Sequence, residues 1–403
     1  MKSKIGQGTQ AVWAGEKAYL LGATQVPVVL SAAFGYRDME EWLAVATGKA
    51  AGHIYTRNSN PTVAVFEEKV RLLEDAEAAT SAASGMGIIS STLFALLASG
   101  SRVVSVKDTY GGTSAIFNEY MPKFRIDAVQ CDTADHDQIE AEIAKGCNVL
   151  YLETPTNPMT KIIDIKRLSK VAHAHGAVVV VDNTTATPIN QNPLQLGADV
   201  VVHSATKFLG GHADALGGVA CGSKHLIDQI RHYREIHGAV LDPMSAYLLL
   251  RGMKTLDLRI TRQNESAMRI ARFLESHPAV ERVFYPGLES HPGHAIAQQQ
   301  MRGFGGILSF MLKKNSLDAV GRFISHLRFA HAAGNLGAVE TIVAPPATSS
   351  HVECTPEERA RLGIPEGLIR YSTGIEDVKD LIDDLSGALE EINKLTKGKT
   401  HAL

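Results

Sequence analysis

Four short β-branched runs fall between residues 101 and 204: "SRVVSV" (101–106), "CNVLYLE" (147–153), "AVVVVDN" (177–183) and "ADVVVHS" (198–204). Each has the length of one strand, and their cores lack the polar alternation of a half-solvated sheet. Such strands are stable inside a sheet covered on both faces, and the helix pattern "DIKRLSKVAHAHG" (164–176) between two of them supplies cover. The expected fold class is therefore α/β, with a mostly parallel sheet in a large domain spanning 61–250. Residues 1–60 read as an irregular arm. From 251 to 403 the pattern changes to "LDLRITRQNESAMRIARFLESH", the strand-like "GGILSFMLK" and the helix "DVKDLIDDLSGALEEINKLTK", which predicts a smaller α/β C-terminal domain.

Composition narrows the function classes. A net charge of −3 over 403 residues offers no general attraction to nucleic acid or an anionic membrane. No stretch reaches the roughly 20 apolar residues of a membrane span. Cys131, Cys147, Cys221 and Cys354 form neither a CxxC pair nor a Cys/His metal spacing, so no metal site is expected. The N-terminus lacks the apolar core of a secretory leader, and a cytoplasmic location is expected.

In a parallel α/β sheet, ligands bind beyond the carboxyl ends of the strands. The residues there are Tyr110, Glu153 to Asn157, Asp182 with Asn183, and Ser204, Thr206 and Lys207 in "HSATKFLGG". One element earlier, "AASGMGIIS" (82–90) reads as a glycine turn opening a helix, whose free N–H groups suit a phosphate. Taken singly, Lys207 reads as a solvated loop residue, Asp182 as a strand-end cap and Tyr110 as packing. Together they equip a site for pyridoxal 5'-phosphate, because its aldehyde forms a Schiff base with a lysine and its pyridine nitrogen needs a carboxylate partner. Lys207 and Asp182 fill those roles. Tyr110 can stack on the ring, while Ser204, Thr206 and the N–H groups of Gly85 and Met86 can hold the phosphate. An amino-acid substrate brings a carboxylate, for which the fork of Arg370 in "GLIRYSTGIED" is the best match. A nucleotide-binding reading of "SGMG" fails, because no GxxxxGK[ST] is present. A non-catalytic protein that keeps the fold stays open as the other alternative.

The motifs "YTRNSNPT", "ASGMG", "DTYGGT", "ETPTNP", "VDNTTATP", "HSATKFLGGH" and "IRYSTGIED" run through almost the whole chain. In this order the sequence resembles the pyridoxal-phosphate enzymes of cysteine and methionine metabolism, the cystathionine γ-synthase and methionine γ-lyase group. The resemblance implies an aspartate-aminotransferase-like (fold type I) architecture and a homotetramer built from dimers with shared active sites. It implies that Tyr55 and Arg57 reach the phosphate of the neighbouring subunit's cofactor, and that Tyr110 adds acid/base duty at the leaving group. The activity implied is γ-elimination or γ-replacement on an amino acid, with Lys207 as the proton carrier. Three departures bear on the substrate. Methionine γ-lyases carry a Cys where this chain has Gly112. Cystathionine-handling members carry a Glu where it has Gly334, followed here by Asn335, which can donate to the substrate carboxylate. The "PPATSSHVECT" stretch also departs from the family pattern, leaving Ser349, Ser350 and His351 to frame the entrance. A γ-lyase for a heteroatom-substituted amino acid with a different tail is expected, canavanine being one specific candidate; a γ-replacement enzyme such as cystathionine γ-synthase or O-acetylhomoserine sulfhydrylase is the alternative.

Overall fold

The computed structural model describes residues 5–16, 22–349 and 363–398, together with the single residues 352, 355, 357 and 359. Ser350 and His351 lie outside them. The four β-branched runs form strands β2 (Arg102–Val106), β4 (Val149–Glu153), β5 (Val178–Asp182) and β6 (Val200–Ser204). Three further strands join them: β1 (Ala78–Ala82), β3 (Asp127–Cys131) and β7 (Gly218–Gly222). The seven run in the order β1-β7-β6-β5-β4-β2-β3. Every neighbour pair from β6 to β3 is parallel, whereas β7 is antiparallel to both β6 and β1. The fold is type I α/β, with the mostly parallel sheet that the sequence predicts.

Val103, Val149, Val180, Val200 and Val202 enter one apolar cluster, while Val104, Leu150, Val179, Val181 and Val201 enter another. Consecutive residues point to opposite faces of a strand, so both faces are packed. The helix Ile165–Ala174 covers one face through Ile165, Leu168, Ser169 and Ala172, which share a stripe at the helical period. Its start is capped by Asp164, whose side chain accepts from the Arg167 N–H.

The second sheet has five strands in the order β10-β11-β12-β9-β8, with β8 at Val280–Phe284, β9 at Ile307–Leu312, β10 at His331–Ala332, β11 at Ile342–Ala344 and β12 at Leu368–Ser372. The 21-residue helix Leu256–Ser276 joins the two halves: Leu256 and Ile260 pack with the first, and Ala267, Ile270 and Leu274 pack with the second. Residue 250 falls inside the helix Pro243–Met253, so the chain runs unbroken through that point. The arm before residue 61 is more regular than its sequence suggests, because it carries helices Gln7–Trp13 and Met39–Ala46. It is pinned by Lys69, whose fully buried ammonium donates to the Ala11 and Val12 carbonyls (2.9 and 3.0 Å) and pairs with Glu16 (3.0 Å).

β7 is nearly invisible in sequence, since glycines at both ends lower strand preference. Gly218 is there for proximity: a Cβ on it would lie 2.2 Å from the Ser84 carbonyl, which begins the helix Gly85–Leu96. Gly218→Ala is therefore expected to destabilise the fold by about 1–3 kcal/mol through overpacking. Urea denaturation followed by circular dichroism checks this, and an unshifted midpoint would contradict the close approach.

Candidate active site

The strand ends place the first group of residues. Asp182, the last residue of β5, is only 5 % exposed. One oxygen accepts from the Thr184 N–H (2.9 Å), the other from the buried Tyr151 hydroxyl (3.4 Å). Across the parallel register it stands beside Glu153, the last residue of β4. Burial pushes both carboxyls above the usual range, and for Glu153 the neighbouring Asp182 charge adds to the rise. The Glu153 carboxylate accepts from the Tyr110 backbone N–H (2.8 Å) and more weakly from that of Asn157 (3.4 Å). It thereby fixes the turn that carries the Tyr110 ring, which is 47 % exposed at the start of the helix Gly111–Ala115.

A second group forms a cradle. Ser84 caps the helix Gly85–Leu96 by accepting from the Gly87 N–H (3.0 Å), leaving the N–H groups of Gly85 and Met86 without intrahelical acceptors. Ser204, at the end of β6, lies against this terminus: a Cβ on Gly85 would be 2.7 Å from the Ser204 Cβ. Thr206 Oγ1 accepts from the Gly217 N–H (3.1 Å) and is held at the same turn. Free N–H groups, the helix dipole and adjacent hydroxyls make an anion seat that a side chain at residue 85 would fill.

The third group joins the two sheets. Lys207 Nζ donates to Asn335 Oδ1 at 2.6 Å. The Asn335 carbonyl accepts from Arg370 Nη2 (2.8 Å), and Arg370 Nη1 donates to Asn157 Oδ1 (3.1 Å). Arg370, on β12, is 3 % exposed, and its Nε has no partner among the described residues. Burial lowers its guanidinium to about 10, which leaves it cationic at neutral pH. Burial, helped by the Arg370 charge, lowers the Lys207 amine to about 8. Beside Lys207 opens a cleft of about 360 Å³, lined by Thr206, Lys207, the run from Ala213 to Leu216, Gly334 and Asn335.

The structure thus brings Lys207, Asn335 and Arg370 into direct contact and sets Gly85 against Ser204. Tyr55 and Arg57 stand apart on the surface: Tyr55 is 44 % exposed, and Arg57 Nη1 donates to the Glu235 carbonyl at 3.0 Å. The sequence reading passed over Tyr151, because a tyrosine within an apolar strand carries no signal until the register sets its face beside Asp182. It also gave no role to Asn157, which reaches Arg370 from the other sheet. The donor set suits a ligand with an anionic group, a basic ring nitrogen and an electrophilic carbon near Lys207, which fits pyridoxal 5'-phosphate. Gly334 has a φ outside the left-handed region, and a Cβ there meets nothing within 4 Å. A Cβ on Gly112 would lie 2.9 Å from the Met86 sulfur and 3.0 Å from the Tyr110 ring.

Comparison with known proteins agrees with this chemistry. The pattern of the Cys/Met metabolism PLP-dependent enzymes matches residues 8–390. The L-methionine gamma-lyase of Fusobacterium nucleatum subsp. polymorphum is 44% identical over 392 residues, 96% of this chain and 99% of that protein. The cystathionine gamma-lyase of Bacillus subtilis (strain 168) is 42% identical, covering 92% of this chain and 95% of that one. The crystal structure of cystathionine gamma synthase from Xanthomonas oryzae pv. oryzae, in complex with aminoacrylate and cysteine, superposes with a TM-score of 0.92 at 36% identity, covering 97% of this chain and 100% of that one.

An amine titrating near pH 8 attacks a carbonyl only in its neutral form. The rate at which the cofactor-free protein captures pyridoxal phosphate should therefore rise through pH 7–9 and level off above, followed by visible absorbance. A flat profile over that interval would place the Lys207 amine elsewhere on the pH scale.

Proposed function

The chain belongs to the Cys/Met metabolism PLP-dependent enzyme family, and from that premise we propose that it is a γ-lyase for L-amino acids bearing a heteroatom at Cγ, with canavanine as the specific candidate. The observation that carries the reading is the Lys207–Asn335–Arg370 chain, which holds a proton-carrying amine and a carboxylate receptor at one short separation. Pyridoxal 5'-phosphate supplies an electron sink that acidifies Cα of the bound amino acid. Asp182 holds the pyridine nitrogen protonated, Gly85, Met86, Ser204 and Thr206 seat the phosphate, and Tyr110 covers the ring. Arg370 and the Asn335 amide orient the substrate carboxylate. Lys207, titrating near neutrality, takes the Cα proton, and Tyr110 returns a proton to the departing heteroatom.

The cleft wall supports the choice of substrate. Away from this wall, a side chain at residue 112 would crowd the Met86 thioether and the Tyr110 ring. At Gly334 the wall is open, which leaves room for a bulkier tail and removes the carboxylate that would grip a second amino-acid head group. Elimination converts canavanine and water to 2-oxobutanoate, ammonia and hydroxyguanidine. Assay of the purified holoenzyme for the three products in equal amounts tests the reading. Homoserine in place of 2-oxobutanoate would move it to γ-replacement, and no hydroxyguanidine at all would remove canavanine. Gly334→Glu is expected to shift the kcat/KM ratio of canavanine to cystathionine about tenfold toward cystathionine, equivalent to about 1.4 kcal/mol. The φ at 334 admits any residue, so a uniform loss on both substrates would reject a specificity role.

The assembly is a homotetramer of dimers with shared sites. Supporting it, the helix Met39–Ala46 buries none of its residues in this chain, leaves Met39 and Leu43 exposed, and precedes the exposed Tyr55 and Arg57. Arg57 and Tyr55 serve the neighbour's phosphate. Arg57→Ala and Lys207→Ala, each nearly inactive alone, should recover about a quarter of wild-type activity per mixed subunit after exchange, because half of the chains pair with the other variant and each such dimer keeps one intact site. No recovery after verified exchange would place Arg57 in its own chain's site.

A further inference from the structure

Within the cleft beside Lys207, one end is committed to the amino-acid head group. Lys207 and Arg370 meet there on Asn335. The rest of the lining, beside Thr206, is Ala213, Asp214, Ala215, Leu216 and the bare backbone of Gly334. Alanine and leucine offer only hydrocarbon. Apart from Lys207, Asp214 is the ionisable side chain in this lining.

Two features separate Asp214 from an ordinary surface carboxylate. The first is that its loop is clamped to the reacting end. The Gly211 N–H donates to the Lys207 carbonyl (2.8 Å), and the Gly217 N–H donates to Thr206 Oγ1 (3.1 Å), so the segment leaves and returns at the lysine turn. Arg259, buried, donates to the Phe208 and Leu209 carbonyls (2.9 and 3.1 Å) beneath it. The Val339 N–H closes on the Gly211 carbonyl (2.9 Å) from the loop between β10 and β11. Both ends of the segment that carries Asp214 are thus held at the lysine turn. The second feature is that its carboxylate, exposed to the cleft, has no hydrogen bond or ion pair with a described residue. Other carboxylates near the strand ends are engaged: Asp108 with Lys161, Glu153 with the Tyr110 N–H, Asp182 with the Thr184 N–H.

We infer that Asp214 is a specificity-determining residue that selects amino acids whose tail ends in a cation, a guanidinium or an ammonium, within the γ-lyase reading given above. The carboxylate attracts such a tail across the space left open by Gly334, and a guanidinium can take both of its oxygens. Because the cleft is open to solvent, the preference is modest and weakens with salt.

The test uses the holoenzyme and two ligands that carry no leaving group at Cγ, L-arginine and L-citrulline, which share shape and length and differ in charge. Calorimetric dissociation constants at low ionic strength are expected to favour arginine about fivefold, the range of a solvent-exposed ion pair. Asp214→Asn should abolish the preference, Asp214→Glu should keep it, and added salt should erode it in the wild type alone. Equal affinities in the wild type, a preference that survives Asp214→Asn, or no arginine binding would each overturn the assignment. These constants are independent of canavanine turnover. A holoenzyme that prefers arginine through Asp214 yet leaves canavanine intact rejects the γ-lyase substrate and not the cation site, and the converse result does the opposite.

Discussion

One hydrogen-bonded chain, Lys207 to Asn335 to Arg370 to Asn157, links the two halves of the molecule. Its members come from four places: the turn after β6, a loop before β11, the middle of β12 and the loop after β4. The outer two belong to the seven-stranded sheet, and the inner two to the five-stranded one. A guanidinium as buried as that of Arg370 is costly unless its donors are used. Its Nη1 binds across the interface to Asn157 while its Nη2 holds the Asn335 carbonyl within its own half, and this ties the relative position of the sheets to the site. Ser309 on β9 adds a buried bond to the Pro158 carbonyl (2.7 Å) beside it.

The same burial sets the charges. Removing water penalises the charged form of every group in the site, so the amine of Lys207 falls while the carboxyls of Glu153 and Asp182 rise. For the lysine this has a chemical use, because an amine lowered to about 8 can both lose and accept a proton near neutrality. The backbone supplies part of the compensation, through the N–H groups of Thr184 and Tyr110.

The cleft wall is shaped by what it lacks as much as by what it holds: a Cβ at Gly334 would meet nothing, and Asp214 is, with Lys207, the ionisable group of the lining. Gly334 and Asp214 both lie in irregular segments, where side chains can change without disturbing the sheet.

The amino-acid sequence alone determined the mostly parallel sheet, because doubly buried strands must be continuously apolar. It also determined the residue types at the strand ends, because their chemistry is local to short motifs such as "HSATK" and "VDNTT". It did not show β7, whose Gly218 is required by the approach of Ser84, nor the regular helices Gln7–Trp13 and Met39–Ala46 of the arm. Nor did it show that Glu153 faces Asp182, that Tyr151 reaches the same carboxylate, or that Asn157 meets Arg370 from 213 residues away. Those pairings are decided by strand register and by the docking of two sheets. Both are long-range choices that minimise unpaired buried charge, and a linear pattern of residues does not record which distant partner will satisfy it.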